Sequence, residues 1–324
     1  AELLHCTPGE IIFTSGGTEA DNAILTGAVI SYGIQNIISS PIEHHAVEET
    51  LNNLSKKKHI HLHMVKLDKH GSIDLEHLDL LLHRHPMALV SLMHANNEIG
   101  NLLDIEAVGE LCHQHKAYFH SDTVQTVGHY THDLRKIKVH GMAAAAHKFH
   151  GPKGAGFMFI RKDKKIQSFL HGGPQERNMR GGTENVYGII GLAKALEIAY
   201  HNLEDHRQYI IGLKARMIEK LKTSIPGVEF HGQSSNLDKS LYTVLNVCLP
   251  ESDQNSMLLF NLDLHGISAS GGSACSSGAT NGSHVLGALY PDSKKGAVRF
   301  SFSKYNTEEE IDSAVEKLKE CLGV

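Results

Sequence analysis

With 324 residues, the chain is longer than a single hydrophobic core normally supports, so we expect one large domain and one smaller domain. The composition, 41% hydrophobic and 21% charged, is that of a globular protein, and a net charge of -5 gives no reason to expect nucleic acid or an anionic membrane as a partner. No apolar stretch is long enough to span a membrane, and the first residues do not form a signal peptide. Five scattered cysteines without paired metal spacing favour a reducing, cytoplasmic compartment and predict no metal site.

The first half of the chain alternates between predicted strands and helices. A strand at 10–14 leads into the turn Ser15-Gly16-Gly17-Thr18-Glu19 and an amphipathic helix that stops at Tyr32-Gly33. The other predicted strands of this half span 36–40, 61–67, 88–93, 118–122, a segment starting at Ala143, and 154–161. This alternation predicts an α/β fold with a mainly parallel, seven-stranded type of sheet flanked by helices on both faces.

Polar residues stand where these strands end, and ligands of parallel sheets collect at the carboxyl ends of the strands. The residues are Thr18, His44, Asn97, Asp122, Gln125, His147 and Lys148. Each alone could be a helix cap or a loop residue, but together they predict a ligand site. The first glycine turn suits a phosphate, because free amides and the helix dipole both favour an anion there. A plain capped helix, with Thr18 or Ser15 as the N-cap, is the alternative.

Lys148 directly follows a run of small apolar residues, Ala143–Ala146, and precedes a Gly-Pro-Lys-Gly turn. The pattern predicts a buried strand that delivers one lysine to the rim of the sheet. A partly desolvated lysine there has its ammonium form disfavoured and can act as an amine nucleophile. A solvated surface pair of His147 and Lys148 is the alternative.

The second half begins with a glycine-rich, charged segment, 171–185, that is too polar to be core. One long helix is predicted from about Val186 to Leu221, bridging to a second domain. We place the large domain at 1–203 and a smaller α+β domain at 204–324. The smaller domain contains predicted strands at 228–230, 243–249 and 297–302, a Gly/Ser-rich loop around Cys275, and a capping box of Thr307 and Glu310 before the last helix.

Taken together, these stretches resemble the NifS/IscS-type cysteine desulfurases, which are pyridoxal-phosphate (PLP) enzymes of fold type I in the class V aminotransferase group. The resemblance runs from about Ile11 to the last helix. Its motifs are Thr-Ser-Gly-Gly-Thr-Glu (14–19), Glu-His-His-Ala-Val (43–47), Ala-Asn-Asn-Glu-Ile-Gly (95–100), Asp-Thr-Val-Gln (122–125), His-Lys-Phe-His-Gly-Pro-Lys-Gly (147–154), Gln-Glu-Arg-Asn-Met-Arg-Gly-Gly-Thr-Glu-Asn (175–185), Gly-Ser-Ala-Cys (272–275) and Val-Arg-Phe-Ser-Phe (298–302). Several short motifs in the family's order are specific where each alone is weak.

The resemblance implies a role for each matching residue around the cofactor. Lys148 would hold PLP as a Schiff base and later move the Cα proton of the substrate. Asp122 would keep the pyridine nitrogen protonated, so that the ring accepts electrons; a helix cap is its alternative. His44 would stack over the ring and assist proton transfer, and Gln125 and Asn97 would hydrogen-bond the ring oxygen. Asn97 would also contact the substrate.

The resemblance also implies a phosphate site, a substrate-carboxylate site and a dimer. The phosphate would be held by Gly17, Thr18, the position of Ala145, His147 and, from a second subunit of a homodimer, Thr183. Ala145 stands where the family usually has a serine, so one hydrogen bond worth about 0.5–3 kcal/mol is missing. Arg299 would bind the substrate carboxylate through its planar, two-pronged donor set, and a surface ion pair is its alternative.

Cys275 is the residue that points to sulfur transfer. Its thiolate would attack the sulfur of PLP-bound L-cysteine, giving L-alanine and a Cys275 persulfide whose sulfur serves iron–sulfur cluster assembly or another acceptor protein. The Gly-Ser-Ala-Cys setting resembles the long-loop branch of the family. The other cysteines, Cys6, Cys112, Cys248 and Cys321, lie in or beside helical or strand patterns and are expected to be packing residues.

Two departures from the family pattern leave alternatives open. Family members carry a further N-terminal segment beside the active site, and this chain begins after it. The chain also stops at Val324 without the tail that IscS-type members use to dock an iron–sulfur scaffold. Besides a cysteine desulfurase, the sequence is therefore compatible with a selenocysteine lyase or another class V relative, or with an N-terminally truncated fragment that is inactive or only binds.

Overall fold

The structure is a computed structural model that describes residues 1–58, 60–271 and 282–324. The chain forms two compact units. Unit 1 consists of residues 1–67, 73–95 and 103–203, and unit 2 of residues 68–72, 96–102 and 204–324. Both units are thus built from more than one stretch of the chain, because two short segments of the first half, 68–72 and 96–102, belong to unit 2.

Unit 1 contains a seven-stranded sheet. Its strands are β1 (Ile11–Thr14), β2 (Asn36–Ser39), β3 (His61–Met64), β4 (Leu89–Ser91), β5 (Tyr118–Asp122), β6 (Gly141–Ala145) and β7 (Gly156–Ile160). They lie in the order β1-β7-β6-β5-β4-β2-β3. Strand β7 runs antiparallel to both of its neighbours, and every other adjacent pair is parallel. The predicted α/β fold with a mainly parallel sheet is therefore confirmed.

Side chains of the central strands alternate between two apolar cores. Along β6, Met142 and Ala144 belong to one cluster of buried residues, whereas Ala143 belongs to the other. Along β7, Phe157 likewise belongs to the first cluster and Met158 to the second. Because successive side chains of a strand point to opposite faces, continuous apolar runs such as these are what a sheet covered on both faces requires.

Six helices belong to unit 1. They are α1 (Gly17–Tyr32), α2 (His45–Lys58), α3 (Leu75–Arg84), α4 (Ile105–Gln114), the single turn α5 (Gln175–Asn178) and α6 (Val186–His201). The Asp104 carboxylate caps α4 by accepting the N–H of Ala107 at 2.9 Å, as its sequence position predicts. Gly33 ends α1 in the left-handed conformation, with a φ of 62°, which favours glycine.

The described residues of unit 2 form a three-stranded antiparallel sheet and four α-helices. The strands β8 (Glu229–Phe230), β9 (Val244–Leu249) and β10 (Gly296–Ser301) lie in the order β10-β9-β8. The helices are α7 (Leu203–Ser224), α8 (Leu258–Leu264), α9 (His284–Leu289) and α10 (Glu308–Leu322). The predicted capping box is present, because Thr307 and Glu310 bond reciprocally at the start of α10.

Two sequence predictions of regular structure were wrong. The single helix expected from Val186 to Leu221 is two helices, because the chain leaves helical geometry at Asn202, whose side-chain amide donates to the Ile198 carbonyl at 3.2 Å. The strand expected to reach Leu67 ends at Met64. Within the described residues, no helix is long and apolar enough to cross a membrane.

Candidate active site

The predicted site residues of unit 1 follow strands whose carboxyl ends share one edge of the sheet. Strand β5 ends at Asp122 itself, and β6 leads directly into a 3-10 turn, Ala146–Phe149, that contains Lys148. Strand β1 leads into α1 and is parallel to β6, because β7 between them is antiparallel to both. His44 follows β2. The topology therefore gathers these residues at the edge where ligands of α/β sheets bind.

The start of α1 has backbone N–H groups that no side-chain cap occupies. Gly16 is the N-cap residue, and among the described residues no side chain caps this end, so neither Ser15 nor Thr18 has the capping role considered for it. The first backbone N–H groups of a helix have no intrahelical partner and point at an incoming anion. Gly17 is buried, and a Cβ added there would lie 2.5 Å from Val124 Cγ2 and 3.9 Å from Ala145 Cβ. A larger residue at position 17 would therefore require the Val124 side chain to move.

Lys148 is positioned by its own turn. The His129 ring bonds the Lys148 carbonyl through Nε2 at 2.9 Å, and the N–H of Gly151 donates to the Ala146 carbonyl at 2.8 Å. Phe149 packs against Gly128, where an added Cβ would lie 2.5 Å from the Phe149 Cβ. The Lys148 side chain is exposed in this chain, contrary to the expected desolvation, because it stands on the turn after the strand. His129 was not singled out by the sequence.

Asp122 is buried and is held by the turn that follows it. Its Oδ1 accepts the N–H of Val124 at 2.9 Å. Val124 lies in a tight turn after β5 and not at the start of a helix, so Asp122 is not a helix cap. Burial raises the pKa of Asp122, while His44, the Val124 N–H and Lys148 act in the opposite direction. His44 and Lys148 are therefore close enough to act on this carboxyl electrostatically. Gln125 is half-buried in the same turn, and His147 is exposed beside Lys148.

Further acidic groups lie buried around Asp122, and sequence reasoning missed them. Burial, followed by the charges of Asp122 and Glu43, raises the pKa of Asp21 well above its usual value. Burial raises the pKa of Glu43 to about 8, although the Ser40 hydroxyl donates to its Oε1 at 2.6 Å. Asp21 Oδ1 lies 3.2 Å from Nε2 of His120, whose pKa burial lowers to about 3. Burial thus disfavours the charged forms of Asp21, Glu43 and His120, whereas Asp122 also has the positive charges of His44 and Lys148 nearby.

The segment that carries Thr183 is fastened to the start of the sheet. Glu176 Oε2 accepts the N–H of Phe13 at 3.1 Å, and Arg180 Nε donates to Glu19 Oε1 at 2.8 Å. Thr183 is exposed and lines a surface pocket together with Ser15. These long-range bonds explain why so polar a segment holds an ordered path beside α1.

Two predicted site residues belong to unit 2 and are bonded to one another. Arg299 on β10 donates from Nη1 to the Asn97 carbonyl at 2.9 Å. The backbone of Arg299 also pairs with that of Ser270 in an isolated antiparallel bridge. On the other side of the segment 272–281, Ser283 donates its hydroxyl to Oε2 of Glu98. Both flanks of that segment are thus attached to the same unit.

Cys275 lies outside the described residues. The structure describes the other four cysteines, and burial raises the pKa of each of their thiols. Cys112 and Cys248 are buried, and Cys6 and Cys321 are half-buried. Because the thiolate is the reactive form of cysteine, none of these four has the environment of a reactive thiol.

Comparison with known proteins defines the class of the fold. The chain matches a solved structure described as a NifS-like protein with a TM-score of 0.90 and 37% identity, covering 100% of this chain and 85% of that chain. A NifS-like protein from Rickettsia africae matches with a TM-score of 0.86 and 30% identity, covering 100% of this chain and 86% of the other. The mostly parallel seven-stranded sheet flanked by helices is that of a fold type I enzyme.

The comparison of sequences gives the family. The model of the class V aminotransferase family matches residues 1–314. A cysteine desulfurase IscS of Clostridium botulinum is 37% identical over 99% of this chain and 81% of its own length, and one of Methanosarcina thermophila is 38% identical over 99% and 79%. The chain belongs to the class V aminotransferase family and, within it, to the NifS/IscS-type cysteine desulfurases.

Proposed function

We propose that this protein is a cysteine desulfurase that converts L-cysteine to L-alanine and passes the sulfur to Cys275 and then to an acceptor protein. The observation that carries the proposal is the combination of Asp122 and Lys148 at the carboxyl ends of adjacent parallel strands, β5 and β6. Its relatives named cysteine desulfurase support the same reading.

The residues present fit pyridoxal phosphate. The uncapped start of α1 and the buried Gly17 suit a phosphate group, and the Asp122 carboxyl suits a protonated ring nitrogen. Thr18 and His147 would be further phosphate ligands, and Ala145 has a methyl group beside Gly17 where a hydroxyl would add a bond. When bound, this cofactor supplies an aldehyde that captures amines and a ring that accepts electrons.

The residues of the chain divide the remaining tasks. Lys148 would hold the cofactor covalently and would then move the Cα proton at its Nζ, while Asp122 would keep the ring nitrogen protonated. His44 would stack on the ring and assist proton transfer, and Gln125 and Asn97 would donate to the ring oxygen. Two observations support these roles: the family resemblance, and the closeness of His44 and Lys148 to Asp122, on which both act electrostatically.

Substrate binding and sulfur transfer fall to unit 2. We assign the substrate carboxylate to the guanidinium of Arg299, which its bond to the Asn97 carbonyl holds in a fixed direction. The Cys275 thiolate attacks the substrate sulfur, so that the carbon–sulfur bond of cysteine breaks and a sulfur–sulfur bond forms. Cysteine and the Cys275 thiol are thereby converted to alanine and a Cys275 persulfide, since one sulfur atom moves from the substrate to Cys275.

The proposal extends to partners. We propose a homodimer in which Thr183 reaches the phosphate of the neighbouring subunit, which its exposed position beside Ser15 permits. The sulfur acceptor is a second protein, such as an iron–sulfur scaffold, that takes the persulfide sulfur from Cys275.

Product analysis tests the reaction. With L-cysteine and a thiol reductant, we expect the purified holoenzyme to release alanine and sulfide in equal amounts. Competition between L-cysteine and L-selenocysteine, measured as the ratio of the two kcat/KM values, separates the desulfurase from a selenocysteine lyase. Alanine formed only from selenocysteine would assign the lyase activity instead, and formation of alanine from neither substrate would refute both.

Replacing Asp122 with asparagine is expected to lower kcat/KM for L-cysteine by about 10²-fold, because a neutral amide does not stabilise a protonated ring nitrogen. The matched control is Asp21→Asn, which changes a neighbouring buried carboxyl in the same way. Burial raises the pKa of Asp21 and so disfavours its charged form, which makes the amide a close replacement, and activity should stay near that of the parent. Equal losses in both variants would mean that Asp122 acts only through packing.

A further inference from the structure

We propose that unit 1 binds one divalent transition-metal ion, of the zinc class, between Asp79, His83 and His115. Asp79 and His83 lie one turn apart on α3, and His115 is the residue that ends α4. One ligand atom from each of the three side chains lies within 4.8 Å of the other two. The sequence analysis named none of these three residues as a metal ligand.

The geometry already draws the three side chains together. His115 Nε2 lies 2.8 Å from Asp79 Oδ1, and His83 Nδ1 lies 3.7 Å from Asp79 Oδ2. The rings of His83 and His115 are 4.6 Å apart in an edge-on arrangement. Ligand atoms of a tetrahedral zinc site are about 3.3 Å apart, given zinc–ligand bonds of about 2.0–2.1 Å. Small side-chain rotations therefore suffice to close the cluster around an ion.

The backbone fixes the least exposed ligand. The N–H of His115 donates to the Leu111 carbonyl at 3.2 Å, and the N–H of Met87 donates to the His115 carbonyl at 3.3 Å. The next residue, Lys116, has a φ of 56°, which turns the chain sharply into β5. The His115 side chain is 15% exposed, whereas that of His83 is 69% exposed. His115 is therefore held in place, and the exposed His83 leaves the site open to solvent.

The ligand set selects the class of ion. Two imidazoles and one carboxylate match zinc and its neighbours in the first transition series, whereas magnesium and calcium prefer oxygen ligands. Three protein ligands leave a fourth position to water. Since imidazole must be unprotonated to bind the ion, binding weakens as the pH is lowered.

The position of the cluster argues for a structural role. Helices α3 and α4 both end next to the amino ends of strands, because β4 begins at Leu89 and β5 begins at Tyr118. The candidate active-site residues stand at the opposite, carboxyl ends. An ion held by Asp79, His83 and His115 would clip α3 to α4 without touching the reacting groups.

Zinc titration of the purified holoenzyme by calorimetry tests the site. We expect the parent to bind one more equivalent of ZnCl2, with micromolar affinity, than either the His83→Asn or the Asp79→Asn variant. The matched control is His113→Asn, which removes an exposed histidine two residues from His115 but outside the cluster. All four proteins carry the same cysteines, so any thiol site contributes equally to each titration.

Thermal unfolding gives a second readout that does not depend on activity. Zinc should raise the melting temperature of the parent and of His113→Asn, and the same concentration of MgCl2 should not. The rise should be lost in His83→Asn and in Asp79→Asn. Identical titrations of the parent and His83→Asn would overturn the proposal, as would an equal loss in His113→Asn, which would indicate diffuse binding by surface imidazoles.

Discussion

Replacing Lys148 with alanine is expected to lower kcat/KM for L-cysteine by about 10³-fold or more, because no other group at this edge of the sheet is proposed to hold the cofactor and move the Cα proton. The visible absorption band of covalently held pyridoxal phosphate should disappear in the same variant. Lys148 is exposed on its 3-10 turn, so removing its side chain leaves the buried packing of Phe149 untouched.

The control for this experiment is Lys153→Ala. Lys153 is also exposed and lies in the Gly-Pro-Lys-Gly turn that follows, so it tests a general loss of positive charge near the site. We expect this variant to keep the absorption band and most of the activity. Retention of the band in Lys148→Ala, with unchanged thermal stability in both variants, would show that another amine holds the cofactor.

Replacing Cys275 with alanine is expected to abolish sulfur transfer. Without the acceptor thiol, alanine formation from L-cysteine should fall by about 10³-fold or more, and mass spectrometry should find no added sulfur atom on the protein. The cofactor absorption band should remain, because Cys275 has no part in holding the cofactor. This combination distinguishes loss of the nucleophile from loss of the cofactor.

Cys321→Ala is the matched control. Cys321 lies near the end of α10, and burial raises the pKa of its thiol, which disfavours the reactive thiolate. We expect its persulfide signal and its turnover to equal those of the parent. If Cys275→Ala retained parental turnover, a persulfide on Cys275 would be excluded. The conversion of L-cysteine to L-alanine would not be excluded by that result.

Most strands and several caps could be predicted because they depend on local sequence, although not every strand end was placed correctly. The apolar run of β6 and the Asp104 cap of α4 each depend on a few neighbouring residues. The order of motifs then identified the family. The break at Asn202 was missed because apolar residues continue at helical spacing on both sides of it, so periodicity alone does not mark the boundary.

The groups that sequence reasoning missed depend on contacts between distant parts of the chain. Asp21 and His120 meet only because α1 packs on β5. His83 and His115 meet only because the ends of α3 and α4 lie side by side. No local pattern reports such pairings, since each residue taken alone has the surroundings of an ordinary helix or strand residue.

The anchoring of Ser270 to β10 limits where the sulfur can be handed over. Cys275 is five residues beyond Ser270, and a fully extended chain advances at most about 3.6 Å per residue, so the covalent chain keeps the Cα of Cys275 within about 18 Å of that of Ser270. Under the proposed function, a receiving protein must bring its own sulfur-accepting atom inside that radius. The length of chain between Ser270 and Cys275 therefore restricts docking of the receiving protein to the surface around Ser270.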